Sequence, residues 1–470
     1  MNFLDENNPI ATPIQFGSVN PNRSSSSSYA PALNSLPGLQ MTRRGLLRMG
    51  AVALGGGVLA DLLKHEAEAA GSSVTEKRSV ILLMQKGGPS QLDMWDMKPD
   101  APVEYRGEFS SIASNIPGYR VCELMPKLSQ MCDRLAILRT VYHTMMDHGE
   151  GMHIAMTGYA PIRNIKASGQ QAPSLGSIVS KELGWRAGLP GYIAVQREIG
   201  FGRSAYLGIA HDPFETFGYP TSDGFRVRNL RASDGVNSAR ESNRRTMLEK
   251  FDTLRRDADT SGAIGAMDTY RRQAFELATS PQVQEAFDLG KEDPKVRDRY
   301  GRKSNAGQSM LLARRLVERG ARFVTVATDY DRPWDSHDDN FTAHRQNIQG
   351  YDHTVSALLE DLEARGLLEQ TLVIIGGEFG RTPRINAKAG RDHWPTCYTT
   401  VMVGGGIKRG VILGTSDSLG ELPKERPISI QDVYATMYHQ LGIDYTKSYL
   451  NEANRPVQIV NYGEPIQEIL

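Results

Sequence analysis

Thr371-Leu372-Val373-Ile374-Ile375-Gly376-Gly377-Glu378-Phe379-Gly380-Arg381-Thr382-Pro383 is an unbroken apolar run that stops at two glycines and then turns polar. Apolar residues without alternation read as a strand covered on both faces, and the glycines as the tight loop at its end. The same shape recurs along the chain. Ser79 to Met84 runs into Gly87-Gly88-Pro89, and Leu135 to Val141 runs into a histidine-rich segment. Arg322 to Ala327 follows a glycine stop, and Thr399 to Val403 ends at Gly404-Gly405-Gly406. Between these strands, Gln308 to Glu318 carries Leu311, Leu312 and Leu316 at helical spacing, and Asp352 to Arg365 is a second amphipathic helix closed by Gly366. Strands alternating with helices predict a doubly wound α/β fold, a largely parallel sheet with helices on both faces. Residues 231–302 are polar, rich in Arg, Asp and Glu, and without strand-like runs, so a helical insertion is expected there.

The 470 residues carry 54 Lys plus Arg and 54 Asp plus Glu, a balance unlike the strongly basic face of a nucleic-acid protein. Cys122, Cys132 and Cys397 have neither CxxC nor zinc-ribbon spacing. One bridge between Cys122 and Cys132 is conceivable, but three ordinary cysteines are the simpler expectation. Near the N-terminus, Thr42-Arg43-Arg44-Gly45-Leu46-Leu47-Arg48 has the twin-arginine export pattern. A short apolar run from Met49 to Ala60 follows it, then the small-x-small cleavage form Ala67-Glu68-Ala69. That run is too short for a permanent membrane span. The expected organisation is a disordered extension over 1–40, a leader over 41–69, one α/β domain over 78–450 and a C-terminal tail over 451–470. Export by this route implies a periplasmic or secreted protein, carried across already folded and often already loaded with a metal.

Ligand-type side chains gather on the segments beside strand ends, where open α/β sheets place their active groups. In Trp334-Asp335-Ser336-His337-Asp338-Asp339-Asn340, extended backbone puts Asp335 and His337 on one side, suited to joint ligation of a cation, or else to an exposed acidic turn. Glu378 at the end of its strand reads as a ligand or base, or as a surface partner of Arg381. Gly390-Arg391-Asp392-His393-Trp394-Pro395 offers two ligands beside an anion-binding guanidinium, or a capped loop with a packed tryptophan. His143, His148 and His153 fall within eleven positions, with His148 placed to begin a helix and His153 open to a purely structural role. Gly87-Gly88-Pro89-Ser90-Gln91 could offer backbone N–H groups to an anion, but it lacks both the P-loop and the GxSxG pattern.

Taken together, GGPSQLDMWDMKPDAP, RGEF, DHGEGMHIAMTG, LLARRLVERG, WDSHDDNF, TLVIIGGEFGRTP and GRDHWP resemble the bacterial "domain of unknown function 1501" family over about residues 78–444. That family is similar to alkaline phosphatases and sulfatases, which implies a metal site at the carboxyl edge of the sheet. By this resemblance Asp335 and His337 look like an Asp and His that hold one metal. Glu378 stands for a strand-end Asp, Phe379 stands where alkaline phosphatase has a histidine, and His393 looks like a final histidine ligand, with Asp392 beside it. His148 falls at the nucleophile register. Gln85 and Lys86 stand where sulfatases carry paired aspartates, and no cysteine fits a formylglycine motif. The implied site is one divalent cation (Zn, Mn or Ca) on Asp335, His337, Glu378, Asp392 and His393. His148 would be nucleophile or acid–base, and Arg391 and Lys86 would steady the anion. Two functions follow as expectations. One is a hydrolase of phosphate or sulfate esters, acting on a small-molecule or polysaccharide ester. The other is a non-catalytic exported protein that binds an anionic polysaccharide or a partner protein.

Overall fold

Every residue of Ser79–Met84 (β1) is buried, because this strand lies inside the main sheet with neighbours on both sides. The computed structural model describes residues 78–161, 169–222, 224–227, 230, 273, 276–328 and 334–470. The leader, the extension before it and most of the expected insertion, residues 231–272, lie outside the described residues.

Eight further strands complete the main sheet: Ala136–Tyr142 (β2), Tyr192–Ala194 (β3), Phe214–Glu215 (β4), Phe323–Ala327 (β5), Thr371–Gly376 (β6), Tyr398–Val403 (β7), Val411–Leu413 (β8) and Ile428–Ser429 (β9). Their order is β8-β2-β7-β6-β1-β5-β3-β4, with β9 beside β2. All pairings are parallel except those of β7, which runs antiparallel to both β2 and β6. The fold is therefore the expected largely parallel α/β sheet, with one reversed strand inside it.

Alternation along β1 sorts its side chains to two faces. Ile81 and Leu83 join one apolar cluster with Asn305–Glu318 (α3) and Asn340–Ala364 (α4). Val80, Leu82 and Met84 join the other with His148–Thr157 (α1), Leu175–Leu183 (α2) and Ile430–Gln440 (α5). Helix α4 begins twelve residues before the expected Asp352, since its first turns are too polar to show an apolar stripe. Residues 451–470, expected as a tail, instead pack Ile459, Val460, Ile466 and Ile469 into the α5 side of the core. Within the expected insertion, the described part forms the short helices Pro281–Phe287 and Pro294–Arg299. Cys122, Cys132 and Cys397 are free and buried. No helix among the described residues is long and apolar enough to cross a membrane.

Register fixes where the loops emerge. Met84 pairs with both Ala327 and Gly376, so β1, β5 and β6 end on one line and release their loops at one rim. Because β7 is reversed, its beginning lies at that same rim, and so does the loop before it.

Candidate functional site

Four chain segments meet at this rim. The loop after β2 enters α1, whose first residue is His148 and whose cap is Asp147, accepting a hydrogen bond from the Gly149 N–H. The segment after β5 brings Asp335 and His337. The turn after β6 brings Glu378, Phe379 and Arg381. The loop before β7 brings Asp392 and His393, with His393–Trp394 laddered antiparallel to Gly380–Arg381. Two glycines permit this convergence. Gly87 has φ +100°, and a Cβ there would lie 2.6 Å from the Asp335 backbone nitrogen; a Cβ on Gly390 would lie 2.0 Å from the His337 carbonyl oxygen.

His148, Asp335, His337 and His393 each offer one ligand-type atom, and these atoms all lie within 4.8 Å of one another. Asp335 is central: its Oδ2 is 3.0 Å from His148 Nε2, and its Oδ1 is 3.1 Å from His337 Nε2 and 3.3 Å from His393 Nε2. The Nε2 atoms of His337 and His393 are 3.1 Å apart. Tetrahedral ligand atoms 2.0–2.1 Å from a single zinc stand roughly 3.3 Å from one another, so these separations fit the donor set of one cation.

The other nitrogen of each ring is tied to an acceptor. His148 Nδ1 meets Glu378 Oε1 at 2.9 Å, His337 Nδ1 meets Asp392 Oδ1 at 2.6 Å, and His393 Nδ1 meets the Met146 carbonyl at 2.7 Å. Carboxylate and carbonyl oxygens only accept, so each Nδ1 carries the proton and each Nε2 points inward. Metal-binding histidines are commonly oriented in this way, by a partner on the far nitrogen. Glu378 is itself buried and held by the Gly87 N–H at 2.8 and 3.1 Å. Phe379 is buried and stacks on His393, with centroids 4.4 Å apart and planes at 29°. Arg381 donates to Asp335 Oδ1 at 2.6 Å, to the Gly88 carbonyl at 2.9 Å, to the Arg391 carbonyl at 3.1 Å and also to the Gly87 carbonyl. Burial pushes the Asp335 carboxyl up, yet hydrogen bonds from His148, His393 and Arg381 outweigh it and hold the group well below the usual range. Hydrogen bonds to Asp335 and Glu378 push His148 up to about 9, so a proton sits where a cation would otherwise stand.

The expected site residues are thus redistributed. His148, expected as nucleophile or acid–base group, joins Asp335, His337 and His393 at the centre. Glu378 and Asp392, read as ligands, stand behind His148 and His337 because their oxygens meet Nδ1 rather than the centre. Arg391 is not an anion clamp. It is fully buried, and all five of its N–H groups are committed, to Asp93 at 2.9 and 3.0 Å and to the carbonyls of Thr382, Pro383 and Tyr105. Lys86 lies on the loop after β1 with its side chain exposed. His153 has both nitrogens satisfied, by the Tyr159 carbonyl and the Gln171 N–H, as a structural residue would. Sequence reasoning missed the Met146 carbonyl, which no pattern signals. It also missed the Arg381–Asp335 contact, for which the only cue was a cation three residues past Glu378.

Residues 77–470 match the family described as "Protein of unknown function (DUF1501)". The chain belongs to this family. No curated protein matches the chain by sequence. Among solved structures it is similar to a protein of the alkaline phosphatase superfamily from Vibrio parahaemolyticus, at 11% identity over 78% of this chain and 67% of that one, TM-score 0.37. It is also similar to the PsFucS1 sulfatase from Pseudoalteromonas sp., at 13% identity over 81% and 70%, TM-score 0.38. A third is the alkaline phosphatase of the Antarctic bacterium TAB5, at 12% identity over 70% and 92%, TM-score 0.34.

Proposed function

We propose that this member of the family is an exported, metal-dependent hydrolase of phosphate or sulfate esters, with one divalent cation held by His148, Asp335, His337 and His393. The observation that carries the reading is the shared orientation of three imidazoles, each fixed through Nδ1 and each turning Nε2 towards Asp335. Three nitrogens and one carboxylate suit zinc or manganese. Calcium prefers a shell of oxygens, so it fits this set poorly.

A cation held here supplies Lewis-acid polarisation of an ester oxygen. The chain's own residues do the rest. Glu378 and Asp392 keep the protons of His148 and His337 on Nδ1, Arg381 steadies Asp335, and Phe379 walls the ring of His393 from one side. The exposed ammonium of Lys86, next to Gly87, is available to an anionic substrate. His148 has both ring nitrogens committed, so attack falls to solvent rather than to this side chain. The twin-arginine motif at 42–48, within the 41–69 leader, supports export to the periplasm or outside the cell.

That same commitment of His148 favours a second reading, a non-catalytic exported protein that binds an anionic polysaccharide or a partner. Gln85, buried just past β1 where sulfatases carry aspartates, points the same way. Metal analysis of the exported chain, with assays on aryl phosphate and aryl sulfate esters, separates the outcomes. One bound ion and turnover lost in His337→Ala support the hydrolase. One bound ion without turnover, but with binding to sulfated polysaccharide, selects the second reading. A protein that binds no divalent ion ends the hydrolase account.

A further inference from the structure

The loop that brings Asp335 and His337 and the loop that brings His393 are separate in sequence, and contacts behind the cluster hold them together as well as those within it. Asp93, on the loop after β1, does so from behind. It is completely buried and grips Arg391 bidentately, Oδ2 to Nε at 2.9 Å and Oδ1 to Nη2 at 3.0 Å. Its Oδ2 also accepts from Asn340 Nδ2 at 2.9 Å. Asn340 Oδ1 in turn receives the Ser336 hydroxyl at 2.5 Å, and the Arg391 N–H donates to the Ser336 carbonyl at 2.9 Å. Ser336 separates Asp335 from His337, and Arg391 immediately precedes Asp392 and His393. Behind the direct contacts of these loops, such as that of His337 with Asp392, one buried carboxylate thus also ties the loop bearing Asp335 and His337 to the loop bearing Asp392 and His393.

We infer that Asp93 is a positioning residue, one that sets the separation of these two loops and hence the pre-organisation of the cation site. A buried bidentate ion pair is a poor source of net stability, because desolvation offsets much of the Coulomb attraction. Geometry is what it supplies: two fixed N–H···O vectors leave little freedom to slide. The inference rests on the metal reading of the cluster.

The test compares zinc binding by the full chain, its Asp93→Asn variant and its Asn340→Ala variant, through competition with a chromophoric chelator. Circular dichroism of each metal-free protein establishes folding. A residue that merely stabilises the fold would lower the unfolding midpoint and leave the affinity of folded protein unchanged. A positioning residue weakens zinc binding by folded protein ten- to a hundredfold at unchanged stoichiometry, the effect typical of groups that orient ligands. Asn340→Ala keeps the ion pair with Arg391 and removes both arms of the Asp93–Asn340–Ser336 bridge, so it decides the matter if Asp93→Asn fails to fold, with at least a threefold loss expected. Wild-type affinity in a folded variant overturns the role of Asp93 and leaves the metal reading intact. Absence of zinc binding in the wild type overturns the metal reading, and this inference falls with it.

Discussion

His337 Nε2 faces His393 Nε2 across 3.1 Å, although both rings have their protons drawn to Nδ1 by Asp392 and by the Met146 carbonyl. Both Nε2 atoms also converge on Asp335 Oδ1, at 3.1 and 3.3 Å, and a cation among the three atoms would take them as ligands. The chain is therefore expected to bind one zinc ion, and zinc in a hundredfold excess over its dissociation constant should add about 2.7 kcal/mol to the unfolding free energy. Thermal unfolding with and without zinc measures this. His337→Ala and His393→Ala should each abolish the increment, and an increment that survives in either variant would place the ion elsewhere.

Glu378 and Asp392 act on the cluster only through the rings they hold. Asp392→Ala frees His337 to change tautomer, and Glu378→Gln replaces one accepting oxygen with a donor facing His148 Nδ1. Each change should weaken zinc binding about ten- to a hundredfold while one ion still binds, whereas Asp335→Ala should remove binding altogether. Isothermal titration of the three variants orders them. If Asp392→Ala removes binding as completely as Asp335→Ala, then Asp392 is itself a ligand.

Phe379 packs against both His393 and His148, with ring centroids 4.4 and 5.2 Å away, and is fully buried. Its truncation in Phe379→Ala should cost about 3–5 kcal/mol, from lost burial and from the cavity left behind. Urea unfolding of the metal-free protein measures that cost. Less than about 1 kcal/mol would mean that the rings hold their places without it.

Much of this arrangement is legible in the sequence. The runs at 79–84, 371–376 and 322–327 carry enough apolar residues and glycine stops to mark buried strands and the loops that leave them. The direction of Tyr398–Val403 was not legible, since an apolar run reads alike in both senses, yet that reversal is what delivers His393 to the rim. The four segments rich in ligand-type side chains stand out in the sequence, and they meet at one rim. How Glu378 and His148 are disposed about the centre is not legible there, because it depends on which ring nitrogen a carboxylate meets. Arg391 misled for a related reason: a guanidinium beside Asp392 looks like an anion clamp until Asp93, some three hundred residues away in sequence, is seen to occupy it.

Stability should also respond to pH through a group away from the cluster. His344 on α4 is fully buried, with Nδ1 3.1 Å from the Asn340 carbonyl and its ring edge-on to Trp334 at 5.3 Å. Burial pushes its pKa down to about 4, only partly countered by the charge of Asp93, with Arg381 and Arg391 also opposing protonation. Above pH ~6.5 the imidazole is neutral in both folded and unfolded chains and contributes no pH dependence. Below that value the unfolded chain takes up a proton that the folded protein refuses, so stability falls until about pH 4, where the folded protein also protonates. The full loss across this window is about 3 kcal/mol. Urea unfolding of metal-free wild type and His344→Leu at pH 7 and pH 4.5 isolates the effect, since the other groups titrate in both proteins. The variant starts less stable at pH 7 and should lose about 2–3 kcal/mol less on acidification. Equal losses in the two proteins would show that His344 already carries its proton in the folded state.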